Sequence, residues 1–177
     1  MGKKTPQLVM KESENYQKFG VYVHWPFCLS LCPYCDFNSH LQKNFSVQSW
    51  GESIMREIEY FGEKTKSRRV TSIFFGGGTP SLMEPKALEG ILTKISQTWT
   101  LANKTEVTLE ANPTSTEIGK FKDFKSLGVN RVSLGIQSLN DSALKFLGRN
   151  HSASEGIRAI KIAGQTFSNF SFDLIYA

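Results

Sequence analysis

The feature of this sequence that most restricts its fold is a regular alternation of β-strand and α-helix patterns after about residue 20. Short apolar runs rich in β-branched and aromatic residues predict five strands, at 20–25, 70–78, 105–112, 130–137 and 167–176. Amphipathic or capped stretches between them predict helices, at 47–64, 84–99, 115–128, 140–147 and 152–164. Strands and helices that alternate in this way are typical of βα units around a parallel sheet, so we expect an α/β fold.

The length of the chain fits a single domain. Its 177 residues are enough to bury a sizeable core, and 40% hydrophobic and 21% charged residues are ordinary for a globular protein. Residues 1–19 are polar and unpatterned, so we expect a short mobile arm followed by a core domain at 20–177. The chain stops at Ala177, directly after the last predicted strand and without a helix to cover it. We therefore expect the domain to be truncated at its carboxyl end.

The hydropathy and charge of the sequence indicate its cellular compartment and the classes of partner that it lacks. No apolar run approaches the roughly 20 residues that span a bilayer, and the amino terminus lacks the apolar segment of a signal peptide. The net charge is +5, but the 21 basic residues are spread along the chain, and the basic run at 64–69 is typical of a solvated loop. We expect a cytoplasmic protein without a transmembrane segment and without a nucleic-acid partner.

All the cysteines of the chain lie in the segment CLSLCPYC, as Cys28, Cys32 and Cys35. An odd number of thiols this close together is a poor disulfide framework and favours a metal site in a reducing compartment. A [4Fe–4S] cluster held by three cysteines would keep one iron open to a ligand from outside the protein. The alternatives are a Cys₃His zinc site completed by His24 or His40, and three unliganded thiols. Iron–sulfur ranks first, because zinc ribbons usually carry a second pair of cysteines further along the chain.

Several segments, taken in order, carry a resemblance to a known family. YVHWPFCLSLCPYCDF (22–37) and FFGGGTPSLM (74–83) resemble the radical S-adenosylmethionine (SAM) superfamily. Four later segments resemble one family within it, the anaerobic coproporphyrinogen III oxidase family with its HemW-like heme chaperone branch. They are LEANP (109–113), GVNRVSLGIQSLN (128–140), LGRNHS (147–152) and FDLIY (172–176). The resemblance implies a partial (βα) barrel of the radical SAM type, with about five parallel strands in this chain and helices on the outer face.

The same resemblance implies a cofactor site at the carboxyl ends of the strands. Cys28, Cys32 and Cys35 would bind a [4Fe–4S] cluster whose open iron takes the amino and carboxylate groups of SAM, and reduction of the cluster would lead to a 5′-deoxyadenosyl radical. An arginine fork suits the SAM carboxylate, and strand-end carboxylates suit amino or ribose groups. The implied cofactor-binding residues are Tyr22, Tyr34, Gly77, Gly78, Thr79, Glu110, Gln137, Arg149 and Asp173. No catalytic residue is assigned.

Phe37 distinguishes two activities that the resemblance implies. The oxidases of the family resemble C-x3-C-x2-C-x-C, whereas this chain has Phe37 at the position of the fourth cysteine. The resemblance therefore favours a heme chaperone, which binds heme and transfers it to hemoproteins, with an electron donor such as flavodoxin or a reductase. The alternatives are an oxygen-independent coproporphyrinogen III oxidase and an inactive remnant or interaction module. Family members continue beyond FDLIY, so a second chain that completes the barrel is a further expected partner.

Overall fold

Five parallel strands form the central sheet of this protein, seen in a computed structural model that describes residues 18–42 and 47–176. The strands in chain order are β1 Lys18–Trp25, the two-residue strands β2 Phe27–Cys28 and β3 His40–Leu41, then β4 Arg69–Gly77, β5 Thr100–Ala111, β6 Arg131–Gln137 and β7 Asn169–Leu174. The sheet order is β1-β4-β5-β6-β7, while β2 and β3 pair separately. Each long strand thus lies beside its predecessor, as in the wall of a (βα) barrel. The expected α/β fold with five parallel strands is confirmed.

Helices connect successive strands of the sheet. They are α1 Val47–Thr65, α2 Pro85–Thr98, α3 Ser115–Gly119, α4 Phe121–Ser126, α5 Asp141–Phe146 and α6 Ala153–Thr166, with a 3₁₀ helix at Pro80–Leu82. A single helix was expected over 115–128, but two short helices separated by Lys120 occupy that region. The Lys120 ammonium donates to the carbonyl oxygens of Leu82 and Met83, at 3.4 and 3.3 Å, which ties this break to the loop after β4. Gly128 follows α4 with φ +108°, as expected of a residue that ends a helical segment.

The two faces of β6 show how the sheet separates the core from the site. Val132, Leu134 and Ile136 are buried in the hydrophobic core, and the residues between them alternate to the other face. This period of two is what a half-buried strand requires. The core continues into α2, where Leu88, Ile91 and Ile95 recur at helical spacing and are buried. The opposite face of β6 is left to polar and small residues that line a cavity.

Strand starts differ more from expectation than strand ends do. β1 begins at Lys18, two residues before the predicted strand, and the Phe19 ring packs 5.7 Å from the ring of Trp99. β5 begins at Thr100 rather than 105, since its first residues pair with β4 before an irregularity in register. Most of the predicted mobile arm, residues 1–17, lies outside the described residues, and the division into arm and core domain stays a prediction. Among the helices that the structure describes, none combines the length and the apolarity needed to cross a membrane.

Candidate functional site

A cavity of about 380 Å³ opens where the parallel strands end. Because the carboxyl ends of parallel strands meet at one edge of a sheet, residues far apart in sequence converge there. The cysteine loop, residues 28–37, forms one wall. The opposite wall contains residues at or just after the strand ends, among them Gly78, Thr79, Glu110, Asn112, Gln137 and Asp173, together with Arg149 from the loop before α6.

The cavity brings together all the predicted site residues except Tyr22 and Gly77. Gly77 lies directly behind the wall, where its N–H donates to Glu110 Oε2 at 3.2 Å. The ring of Tyr22 stacks on Phe74, with centroids 6.0 Å apart, next to the end of β4. The convergence agrees with the expected placement at the strand ends. That these residues bind a cofactor stays a prediction.

The cysteine loop is held in a defined conformation by its own ends. The short strands β2 and β3 pair at its base, and a turn within it is closed by the bond from the Cys35 N–H to the Cys32 carbonyl at 3.0 Å. All three cysteines are free thiols, and Cys35 is exposed. Two of them meet hydrogen-bond donors: Thr79 Oγ1 lies 3.5 Å from Cys28 Sγ, and Arg149 Nη1 lies 3.2 Å from Cys32 Sγ. Donors in these positions could also hydrogen-bond to cysteine sulfurs that bind a metal.

The arrangement of donor atoms bears on which metal the cysteines suit. Within 18–42 and 47–176, no three His, Cys, Asp or Glu side chains converge closely enough to hold a single metal ion. The ring of His24 is engaged elsewhere, with Nε2 2.9 Å from the Asn38 carbonyl and Nδ1 3.4 Å from the Tyr22 hydroxyl. In an iron–sulfur cluster each thiolate binds a different iron, so the sulfurs need not converge on one point. Three free thiols on a loop that lines a cavity fit that requirement.

Arg149 is the most connected side chain of the site. Its Nη1 donates to Cys32 Sγ and to the Tyr34 hydroxyl at 3.4 Å, and its Nη2 donates to Asn112 Oδ1 at 2.6 Å and to the Gly135 carbonyl at 2.9 Å. Its Nε is buried and has no hydrogen-bond partner. A partly buried guanidinium in a cavity wall is chemically suited to binding a carboxylate.

The carboxyl groups of Glu110 and Asp173 line the same cavity as the Arg149 guanidinium. Burial raises the pKa of Glu110, and the nearby charge of Asp173 raises it further, while the bond from the Gly77 N–H opposes both. Burial likewise raises the pKa of Tyr34 to about 12, against the lowering effect of Arg149, so the phenol is neutral at physiological pH. The cavity thus offers a cation at Arg149 and carboxyl groups at Glu110 and Asp173. This combination complements a ligand that carries both a carboxylate and amino or hydroxyl groups.

The glycines after β4 are required by the protein's own packing. A Cβ added at Gly78 would lie 2.7 Å from the Phe27 carbonyl oxygen. Gly77 has φ +114°, and a Cβ there would lie 2.6 Å from His24 Cε1. The sequence reasoning assigned these glycines to close approach of the cofactor. The structure gives a further reason, because β4 must pass against β1 and the base of the cysteine loop at these two positions.

Gln137 ends β6 in a strained backbone conformation. Its φ is +65°, a value otherwise confined to glycines in the part of the chain that the structure describes. The Gln137 carbonyl accepts the N–H of Ile175 at 2.9 Å, across an irregularity in the register of β6 and β7. Left-handed backbone at a non-glycine residue costs about 1–3 kcal/mol and is concentrated at functional sites. The turn directs the Gln137 side chain to the cavity.

Sequence reasoning missed two residues of the site, Asn112 and Glu117. The carboxyl of Glu117 is 1% exposed and accepts from the Ser81 hydroxyl, from the Asn112 N–H at 2.8 Å and from the Thr114 hydroxyl at 3.1 Å. Burial raises the pKa of Glu117, and these three donors lower it. Glu117 thereby joins the loop after β4 to the end of β5. The available signal was the LEANP segment, where a polar Asn follows a strand and precedes a proline.

Comparison with known proteins bears on the identity of this site. The chain matches the Radical SAM superfamily over residues 22–177. It is 39% identical over 158 residues to "Radical S-adenosyl methionine domain-containing protein 1, mitochondrial" of Danio rerio, covering 89% of this chain and 36% of that protein. It is also 39% identical over 158 residues to "Heme chaperone HemW" of Escherichia coli (strain K12), covering 88% of this chain and 42% of that one.

The fold has a close counterpart among solved structures. Coproporphyrinogen III oxidase (HemN) from Escherichia coli, described as a radical SAM enzyme, superposes with a TM-score of 0.80 at 23% identity, over 91% of this chain and 38% of that one. The chain therefore spans about two fifths of the length of these relatives. The match over 22–177, the parallel five-stranded sheet and the HemW homologues lead to one conclusion: this chain belongs to the radical SAM superfamily.

Proposed function

We propose that this chain is a HemW-like heme chaperone domain that binds a [4Fe–4S] cluster and SAM and takes part in transferring heme to hemoproteins. The observation that carries the proposal is the contact between Arg149 and Cys32, at 3.2 Å, inside a cavity that also contains Cys28 and Cys35. It joins the expected cluster ligands to the expected carboxylate-binding group in a single site. The resemblance to the heme chaperone HemW proteins supports the heme role.

Each part of the cofactor would be held by a different wall of the cavity. Cys28, Cys32 and Cys35 would bind the cluster, and the guanidinium of Arg149, which lines the same cavity, would bind the carboxylate of SAM. Glu110 and Asp173 are suited to amino and ribose groups as hydrogen-bond acceptors. A bound cluster would supply the electron for reductive cleavage of the SAM sulfonium. The protein's own contribution is to orient SAM and to keep Tyr34 as a neutral phenol beside the cysteine loop.

The rim of the cavity supports the chaperone role over the oxidase role. Phe37 lines the cavity, is 60% exposed and occupies the position where the oxidases have a further cysteine. Leu29 and Leu31 are exposed on the same loop. An apolar rim is suited to a planar apolar ligand such as heme, or to a docking electron donor such as flavodoxin or a reductase. Three free thiols kept for metal favour a reducing compartment, and the cytoplasm is the location that we propose. A second chain that completes the barrel is part of the same proposal.

The test is anaerobic reconstitution of the cluster in the full chain, with a Cys32→Ala variant as the matched control. We expect electron paramagnetic resonance of the reduced wild-type sample to give a [4Fe–4S]⁺ signal that changes shape when SAM is added, and the control to lose it. Heme is then titrated by absorbance, with transfer to an apo-hemoprotein as the readout. A sample without a cluster would make the chain a remnant or an interaction module. Conversion of coproporphyrinogen III would identify it as the oxidase instead.

A further inference from the structure

Asn112 lies between the two side chains that contact the cysteine sulfurs. Its Oδ1 is 2.6 Å from Arg149 Nη2, and its Nδ2 is 3.2 Å from Thr79 Oγ1. Arg149 contacts Cys32 Sγ at 3.2 Å, and Thr79 Oγ1 contacts Cys28 Sγ at 3.5 Å. We propose that Asn112 is a positioning residue that sets the direction of this hydrogen-bond chain, so that Cys28 and Cys32 each receive one donor. The consequence for a cluster rests on the proposed function.

The direction of the chain follows from the chemistry of its members. Arginine has only donors, so the atom of Asn112 that faces Arg149 must be the carbonyl oxygen. The amide of Asn112 must then face Thr79 and donate to its hydroxyl oxygen. A threonine hydroxyl has a single proton, and with its oxygen already accepting, that proton is available to Cys28. Asn112 therefore determines where the Thr79 proton goes.

The backbone of Asn112 is held in place independently of its side chain. Its N–H donates to the buried carboxyl of Glu117 at 2.8 Å, and Glu117 also accepts from Ser81 in the loop that contains Thr79. Thr79 is itself buried, and its N–H donates to the Phe27 carbonyl at 2.8 Å, directly before Cys28. Asn112 and Thr79 are thus each fixed by contacts other than the bond between them, which gives the network a definite polarity.

The chain has a measurable consequence for a bound cluster. Hydrogen bonds to cluster sulfurs stabilise the more negative, reduced state and raise the reduction potential. Asp at position 112 would be an acceptor only, so the Thr79 proton would turn from Cys28 toward the new carboxylate. We expect Asn112→Asp to lower the potential for two reasons, the lost donor and the added charge. Thr79→Val removes the same donor without a charge, and Thr79→Ser keeps it.

The first experiment uses the cluster-free chain, labelled with ¹⁵N, and observes the side-chain amide of Asn112 by NMR. The signal is assigned by its loss in Asn112→Asp. We expect Thr79→Val to shift the Asn112 amide protons and to speed their exchange with water, and Thr79→Ser to leave both near the wild-type values. Amide signals that are the same in wild type and Thr79→Val would overturn the inference, because Thr79 would then not be the acceptor. Thermal melting of each variant shows that the comparison is made between folded chains.

The second experiment measures the midpoint potential of the reconstituted cluster in wild type, Asn112→Asp, Thr79→Val and the double variant. The charge of Asp is present with either residue at 79, so it cancels in the comparison of the two backgrounds. We expect Asn112→Asp to shift the potential less in the Thr79→Val background than in wild type. Additive shifts would overturn the inference. If wild type assembles no cluster, the proposed function fails, and the NMR experiment still decides whether Asn112 directs the chain.

Discussion

Gly148 lies directly against Pro33, so that a Cβ built on Gly148 would be only 2.8 Å from Pro33 Cδ. The φ of Gly148 is +67°, in the left-handed region. Two residues along, the Asn150 side-chain amide donates to the Ser30 hydroxyl at 2.7 Å. The loop before α6 therefore holds the cysteine loop through steric contact as well as through hydrogen bonds. The close contact makes the geometry of the cysteines depend on a glycine more than a hundred residues away in the sequence.

We expect Gly148→Ala to destabilise the chain and to impair cluster assembly. The substitution adds a methyl group where Pro33 already lies and places Ala at a positive φ, a combination that costs about 1–3 kcal/mol. Urea unfolding gives the free-energy change, and the iron content after reconstitution gives the effect on the site. Gly90→Ala is the matched control, since Gly90 lies within α2 with nothing near its Cβ position. The unfolding free energy of that variant should rise by about 0.5–1 kcal/mol, and its iron content should be normal. Equal losses of unfolding free energy in both variants would show that the contact with Pro33 is not the cause.

Much of this architecture was predictable, because strand patterns and strand ends are local properties of the sequence. The alternation in RVSLGIQ sets the buried face of β6, and Gln137 was placed correctly at its end. The left-handed φ of Gln137 was not predictable, since it depends on how β7 pairs across the irregularity in register. The break at Lys120 was not predicted either, and the Lys120 ammonium contacts carbonyl groups of the loop after β4, which is distant in the sequence.

Site residues that lie in a family-like motif could be predicted from the sequence. Residues whose role depends on contacts between distant loops could not. Arg149 and Thr79 came from segments that resemble the family. The position of Asn112 between them could not be read from spacing, because its two partners are 33 and 37 residues away in separate loops. Glu117 was missed for the same reason: a Glu in the first turn of a helix is ordinarily a solvated helix-capping residue, and only the packed loops bury it.

The raised pKa of Glu110 leads to a specific pH dependence of stability. In the unfolded chain this carboxyl titrates near its ordinary value of 4.5, and in the folded chain burial holds its pKa higher. The folded state therefore binds the proton more tightly, and wild type loses stability as the pH rises from 4.5 through the raised pKa. Glu110→Gln removes this titration and keeps an oxygen for the Gly77 N–H. We expect the variant to be more stable than wild type at pH 7, although it lacks the charged carboxylate of the proposed SAM site.

Urea unfolding of both proteins between pH 4 and pH 8 checks this expectation. The difference in unfolding free energy, variant minus wild type, should be small at the acid end and grow with pH until it levels off. Glu117, whose pKa burial also raises, is present in both proteins and cancels. A difference that stays constant or shrinks with rising pH would show that Glu110 is not destabilised by burial.

β7 lies at one edge of the described sheet, and we expect it to promote self-association. It pairs with β6 alone in the described sheet, and Phe172 and Leu174 on it are exposed. An apolar edge strand is a template for pairing with another chain. We expect Leu174→Lys to reduce the mass measured by light scattering at high protein concentration, with a change in unfolding free energy within about 0.5 kcal/mol. Phe146→Lys is the control, since Phe146 is 86% exposed on α5. An equal reduction of the measured mass in this variant would indicate nonspecific hydrophobic association instead of edge pairing.

Arg149→Lys tests whether the fork geometry of the guanidinium, and not its charge alone, organises the site. An ammonium has one nitrogen, so it cannot reach Cys32, Asn112 and the Gly135 carbonyl together, and it has no group equivalent to the buried Nε. We expect SAM affinity in the reconstituted chain to fall at least about tenfold, corresponding to about 1.4 kcal/mol, as measured by titration calorimetry under anaerobic conditions. Arg158→Lys, at an exposed position on α6, controls for the same chemical change and should leave the affinity unaltered. Unchanged affinity in Arg149→Lys would mean that a point charge at position 149 suffices, and that the fork geometry of the guanidinium does not determine SAM binding.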